Sequence, residues 1–294
     1  MTTLLQLLVS GVLTGSVYAL MSMGLTLIFG VLRIVNFAHG EFLMIAMYGA
    51  WALGRLCGIN PYLAAIIVIP AMFLFGAAAY QLVVRPGLGK PHLVVAFATM
   101  GLSIFLQNAA LMLMTADLRD IPPVFARSLT LGPIYIKDEL LLGFVTTLAC
   151  TSALQWMLKR TYLGKAIRAT VQDGEAAQLM GIAVPRIFLI TFALGSALVG
   201  LAACVMVPLF SVFPAVGLNF VLIAFVIVVL GGMGSIEGAL IGGVCVGVVQ
   251  SLSGYYVAPA FAQLFFFLLF LLAMIFRPNG LLGQQGAATI GTSE

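Results

Sequence analysis

The sequence predicts an all-α membrane protein, a polytopic helical bundle of eight to nine spans with discontinuous helices. Three observations predict it. Of the 294 residues, 63% are hydrophobic and 7% charged, with a mean hydropathy of +1.19, whereas soluble domains are about 45–50% apolar and about 25% charged. Asp, Glu, Lys and Arg are absent from 1–32, 56–84, 91–116, 140–158, 187–236 and 238–276, and most of these stretches match the roughly 20 residues that cross a bilayer core. No stretch alternates in the roughly 10-residue units of an outer-membrane barrel. A water-soluble fold, a disordered chain and a nucleic-acid-binding domain are thereby excluded. The net charge of +4 belongs to the loops and does not point to a polyanionic partner.

Apolar runs fall at 4–32, 42–56, 62–84, 93–115, 140–158, 187–208, 218–233, 239–257 and 260–276. The second and seventh are short, and short glycine-interrupted runs suit discontinuous helices. The first run lacks a basic leader and is too long for a cleaved signal, so it reads as a retained helix. Small residues recur every fourth position at Gly11-Gly15-Ala19, Gly54-Gly58 and Gly234-Gly238-Gly242, a spacing that lets helix backbones approach closely in lipid. Cys57, Cys150, Cys204 and Cys245 form no CxxC or zinc pattern and read as small packing residues. The phenylalanines of 261–276 read as packing or lipid-facing surface. No linker divides the chain. Residues 1–282 are expected to form one transmembrane domain and 283–294 a disordered cytoplasmic tail.

Basic residues orient the spans. Lys159, Arg160, Lys165, Arg168 and Arg186 share one loop, Arg85 and Lys90 a second, and Arg277 follows the last run. These loops fall on one face, which is expected to be cytoplasmic together with the C-terminus. The N-terminus is external with nine spans and internal with eight. The loop 116–139 is charge-balanced, carries Pro122-Pro123 and reads as an ordered external connection.

Three segments are candidates for chemistry. The loop 159–186 is too polar to span. Its apolar positions Ala166, Ile167, Val171, Ala176, Ala177, Met180 and Ile182 recur with broadly helical spacing, and Asp173-Gly174 breaks it and starts a new helix at Glu175. A short amphipathic helix parallel to the membrane fits, as does a solvated connector that only fixes topology. The block 33–41 sets Arg33, Asn36, His39 and Glu41 between two apolar runs. Polar groups at membrane depth are functional candidates, so Asn36, His39 and Glu41 are placed on the translocation path or its inner gate. The alternative is a structural Arg33–Glu41 ion pair at the cytoplasmic rim, with Asn36 capping the next helix. The block 231–238 is a glycine-rich break in which Gly231, Gly234 and Glu237 are gate candidates, Glu237 having helix capping as its structural alternative. His39 and His92 are isolated from each other, so neither a metal nor a cofactor site is expected. No GxxxxGK[ST] occurs, so the chain itself has no phosphate cradle of the P-loop kind.

Glu175-Ala176-Ala177, three further residues and Gly181 resemble the EAA…G loop of ABC-importer permeases. The blocks GLTLIFGVLRIVNFAHGEFLM (24–44), TYLGKAIRATVQDGEAAQLMGI (161–182) and VLGGMGSIEGALIGG (229–243) resemble LivH-type branched-chain amino-acid permeases, in order and along nearly the whole chain. The tail after Gly283 matches no family feature. The resemblance implies an ABC-importer permease fold. It also implies a coupling loop, carried by Gly164, Arg168, Asp173, Glu175, Ala176, Ala177 and Gly181, that docks on an ATPase. The expected partners are a second related permease, two ATP-hydrolysing subunits, an extracytoplasmic substrate-binding protein and the lipid bilayer of a bacterial inner membrane, with no nucleic acid. Urea or short amides are the alternative substrates within the family. An ion-coupled secondary transporter is the alternative of a different class, but the charge-free runs 187–236 and 238–276 leave little material for an ion site.

Overall fold

The computed structural model describes residues 2–122, 124–125, 128–131, 134–277 and 279–283, so nearly all of the expected tail lies outside the described residues. Eleven helices and one hairpin follow in order: α1 (Thr2–Leu32), α2 (His39–Cys57), α3 (Pro61–Ala79), α4 (His92–Met114), β1 (Ser128–Leu131), β2 (Ile134–Lys137), α5 (Asp138–Arg160), α6 (Tyr162–Gln172), α7 (Gly174–Leu179), α8 (Val184–Met206), α9 (Val216–Gly231), α10 (Ile236–Tyr256) and α11 (Ala262–Phe276). A π turn at Tyr80–Val84 and a 3-10 turn at Arg85–Gly87 extend α3.

Each of the nine apolar runs carries a helix, but only seven helices among the described residues are long and apolar enough to cross a membrane. The expectation of eight to nine spans therefore exceeds what is found. The two exceptions are the runs predicted to be short. Helix α9 has 16 residues, about 24 Å of rise against a hydrocarbon core of about 30 Å. Helix α2 contains Glu41 and Arg55 and begins inside the bundle rather than at its edge.

Helix α1 is the centre of the molecule, buried almost continuously from Gly15 to Ile28 and packed by α5, α8, α9 and α10. It can be surrounded because its facing positions lack side chains. A Cβ on Gly15 would sit 2.3 Å from the Gly243 carbonyl oxygen, and one on Gly247 would sit 2.3 Å from that of Gly11. The first small-residue row is thus a backbone-to-backbone seam with α10. The second row is not a seam: Gly58 is the left-handed C-cap of α2, at φ +65°. In the third row, Gly238 and Gly242 meet α9 while Gly234 lies in the turn before α10. Of the cysteines only Cys204 is buried, and Cys57 is exposed, against the packing role expected for it.

Hydrogen bonds and close approaches define the two ends of the bundle. Gln6 at the start of α1 pairs with both backbone groups of Tyr135 in β2, at 2.7 and 2.8 Å, and Arg119 pairs with Val212 at the same end. At the opposite end Gly30 touches Gly234, and Lys159 meets Glu237 at 3.7 Å. The start of α1 and the 159–186 loop therefore lie at opposite ends. The hairpin β1–β2, antiparallel with Ser128 opposite Lys137, gives regular structure to the 116–139 loop that the sequence marked only as ordered.

Candidate functional site

The loop 159–186 folds as two short helices, α6 and α7, broken at Asp173 as predicted. Thr161 caps α6 by accepting from the Gly164 amide at 3.1 Å. Gly164 is pressed against the last turn of α5, where a Cβ would lie 2.3 Å from the Leu158 oxygen and 2.4 Å from that of Met157. Arg168 donates to the Leu158 carbonyl, satisfying an otherwise unpaired group at the end of α5. The buried face of α6 is Gly164, Ala166, Ile167 and Thr170, so α6 is fixed to the bundle.

Helix α7 owes its shape to the residues of the EAA…G pattern. Asp173 accepts from the amides of Glu175 and Ala176 at 3.0 and 2.9 Å, and Glu175 places a negative charge in the first turn. Ala177 is the buried residue of α7. Gly181, at φ +84°, ends it: its amide bonds to Gln178 and the Ile182 amide to Ala177, the two bonds of a Schellman cap. Leu179 and Met180 project from the tip with 89% and 83% of their surface exposed. The sequence pattern did not single out Leu179, and it assigned Met180 to the apolar face. Two adjacent exposed apolar side chains in a loop this polar are the signal that marks this tip.

The block 33–41 does not form the structural ion pair and helix cap that the sequence offered as one alternative. Arg33 turns the chain at φ +54°, and 33–36 is non-helical and re-enters the bundle. His39 is fully buried, with Nε2 3.2 Å from the Met21 carbonyl. Met21 lies roughly two and a half turns, about 14 Å, above Gly30 along α1. His39 therefore sits well inside the bundle, while Arg33, just past the end of α1, is exposed, and the Arg33–Glu41 pair is absent; among the described residues the only ion pair is Lys159–Glu237. Asn36 accepts from the Ala38 amide at 3.1 Å, closing its own turn, while Ala38 occupies the N-cap position of α2.

Glu41 accepts from Ser103 of α4 at 3.0 Å, and its other oxygen approaches Gly217 of α9, where a Cβ would lie 2.2 Å away. Only glycine fits there. His39 faces α1 and α8, whereas Glu41 faces α4 and α9, since residues two apart on a helix point to nearly opposite sides. Asn36 Nδ2, His39 Nδ1 and Glu41 Oε2 are all buried without a hydrogen-bond partner. Thr99 of α4 completes the turn by accepting from the Phe37 amide at 3.3 Å.

At the glycine-rich break, Gly231 ends α9 and Gly234, at φ +89°, touches Gly30. Ser235 caps α10 by accepting from the Gly238 amide at 3.0 Å, the role that the sequence left open for Glu237. The chain after α11 returns to this break. The amides of Leu281 and Leu282 donate to the carbonyls of Leu230 and Gly231 at 2.8 and 3.0 Å, and so cap α9. Nothing in the composition of 277–283 announced that contact. The α6–α7 loop and the glycine break thus share one end, joined through Lys159 and Glu237, while the Asn36–Glu41 turn lies deeper.

A sequence family described as "Branched-chain amino acid transport system / permease component" matches residues 7–274. The chain belongs to this family. This permease is 33% identical to the high-affinity branched-chain amino acid transport system permease protein BraD of Pseudomonas aeruginosa, over 95% of this chain and 96% of that protein. It is 30% identical to the permease protein LivH of Escherichia coli K12, with the same coverage. Among solved structures it resembles a chain of "PsaBC from Streptococcus pneumoniae in complex with Fab", at a TM-score of 0.52 and 13% identity over 92% of the permease and 91% of that chain. That likeness concerns the fold alone. The permease is a multi-pass membrane protein and a transport subunit, as the sequence blocks implied.

Proposed function

We propose that this permease forms one half of the path of an ATP-driven importer for branched-chain amino acids in a bacterial inner membrane. A second related permease, two ATP-hydrolysing subunits and an extracytoplasmic binding protein complete the assembly. The 159–186 loop and the C-terminus face the cytoplasm, and residues 1–282 act as one domain. The observation that carries this reading is the α6–α7 element: a helix anchored under α5, followed by a capped tip that exposes Leu179 and Met180. An apolar tip on a charged loop suits insertion into a groove of a soluble motor subunit, since burying such side chains stabilises a contact by about 1.5–3 kcal/mol each.

ATP-driven closure of the motor pushes on Glu175–Gly181. The contacts of Gly164 and Arg168 with α5, and of Lys159 with Glu237, carry that push to the glycine break at Gly231–Gly234. Helices α2 and α9, crossing at Gly40 and Gly217, both begin inside the bundle. Asn36, His39 and Glu41 sit at that inner end and form the gate. The test is a benzophenone photo-cross-linker at position 180 in the assembled transporter. Adducts with the ATPase subunit are expected, with none from position 113 on the exposed face of α4. Absence of an adduct at 180 refutes the docking role.

A further inference from the structure

A depression of about 590 Å³ lies at the end of the bundle opposite α6–α7, within the usual size of a small-molecule site. Trp51 of α2 is among its lining residues. Arg55, at the end of α2, Ile59 of the α2–α3 turn, and Arg119, Asp120 and Ile121 of the loop after α4 line it. Arg119 is held in place from several sides. Its backbone exchanges two hydrogen bonds with Val212, at 2.9 and 2.8 Å, Nη2 donates to the Met114 carbonyl, and the guanidinium stacks 4.4 Å from the Trp51 ring centre. Among the described residues, none of the charges lining the depression is in an ion pair. A fixed guanidinium stacked on an aromatic ring, with a carboxylate and two isoleucines lining the same depression, has the chemistry to receive a small zwitterion with an apolar side chain.

We propose that this depression is an entry subsite for the amino acid, in which Arg119 takes the α-carboxylate, Asp120 the α-ammonium, and Trp51, Ile59 and Ile121 the side chain. The inference rests on the importer reading above and adds a binding site to it. The site favours zwitterions over urea and short amides, which offer no carboxylate to Arg119.

Trp51 and Trp156 are the only tryptophans, so Trp156→Phe leaves Trp51 as the sole reporter in the full chain held in lipid nanodiscs. Titration with L-leucine is expected to change Trp51 fluorescence saturably. L-leucinamide, lacking the carboxylate, and 4-methylpentanoate, lacking the ammonium, are each expected to bind about ten-fold more weakly, the size of one lost charge-assisted hydrogen bond. Urea is expected to be silent. Asp120→Asn should weaken leucine about ten-fold and leave 4-methylpentanoate unchanged, a pattern that loss of fold does not produce. No saturable response to leucine, or equal binding of leucine and leucinamide, overturns the proposal. Leucine uptake by the complete transporter with a silent Trp51 overturns the subsite alone. Lack of ATP-dependent leucine uptake overturns the importer reading, whatever Trp51 reports.

Discussion

Replacing Gly164 with alanine tests how the α6–α7 loop, proposed to dock on the motor subunit, is held. The added methyl would lie 2.3 and 2.4 Å from the carbonyl oxygens of Leu158 and Met157 and 2.5 Å from Leu158 Cα. All three atoms are backbone within the last turn of α5, so no side chain can swing aside. Carbon contacts relax near 3.5 Å, and the start of α6 must therefore move by roughly 1 Å. Overpacking of this kind costs about 1–3 kcal/mol. The displacement also strains the Thr161–Gly164 cap and the Arg168–Leu158 bond, each worth about 0.5–1.5 kcal/mol. Because α7 hangs from α6, the tip shifts with it. A loss of about 1.4–3 kcal/mol in docking corresponds to roughly a ten- to hundred-fold weaker grip. The assay is ATP-driven leucine uptake by proteoliposomes holding the complete transporter, normalised to inserted permease. Gly174→Ala is the control, since a Cβ there meets nothing within 4 Å. Uptake by Gly164→Ala equal to that of Gly174→Ala would show that α6 is not held to α5 through Gly164.

At Gly181 a side chain has open space but an unfavourable φ of +84°. Alanine should therefore cost about 1–2 kcal/mol, asparagine less, and uptake should rank Gly, Asn, Ala; an alanine variant as active as the parent contradicts the cap. Glu41→Ala leaves Ser103 without its carboxylate and opens space where α2, α4 and α9 meet. It should lower stability by about 2–4 kcal/mol while Glu41→Gln largely preserves it, and equal thermal midpoints in detergent for both variants would contradict this. The Lys159–Glu237 pair is exposed on both sides. A double-mutant cycle should give it under about 1 kcal/mol of stability, and a larger coupling energy would mean that the pair holds the fold.

Much of the architecture was legible because lipid imposes it. Every apolar run carries a helix, and the two short runs carry the helices that are not long and apolar enough to count among the seven spans of the described residues. Asp173 was legible as a break because an aspartate before an apolar-periodic segment caps its first turn. The rim alternative for Arg33 and Glu41 fails because a linear sequence gives no depth. Arg33 and Glu41 look like neighbours at a rim, yet a left-handed residue and a few extended ones carry His39 and Glu41 far inside, where tertiary partners from α1, α4 and α9 receive them. Those partners, Met21, Ser103 and Gly217, are remote in the chain. The hairpin was missed because its strands have four residues each, too few for a period to show. The return of Leu281 and Leu282 to α9 rests on backbone bonds, which composition does not encode.

The proposed import of branched-chain amino acids through this permease, driven by an ATP-hydrolysing partner, is open to direct measurement. Uptake of radiolabelled leucine into proteoliposomes measures it directly. Uptake is expected to require ATP, the ATPase subunits, the second permease and the binding protein together, and an ion gradient alone is not expected to support it. Uptake by this chain alone under a Na⁺ or H⁺ gradient, or ATP-driven uptake of urea or acetamide in place of leucine, would contradict it.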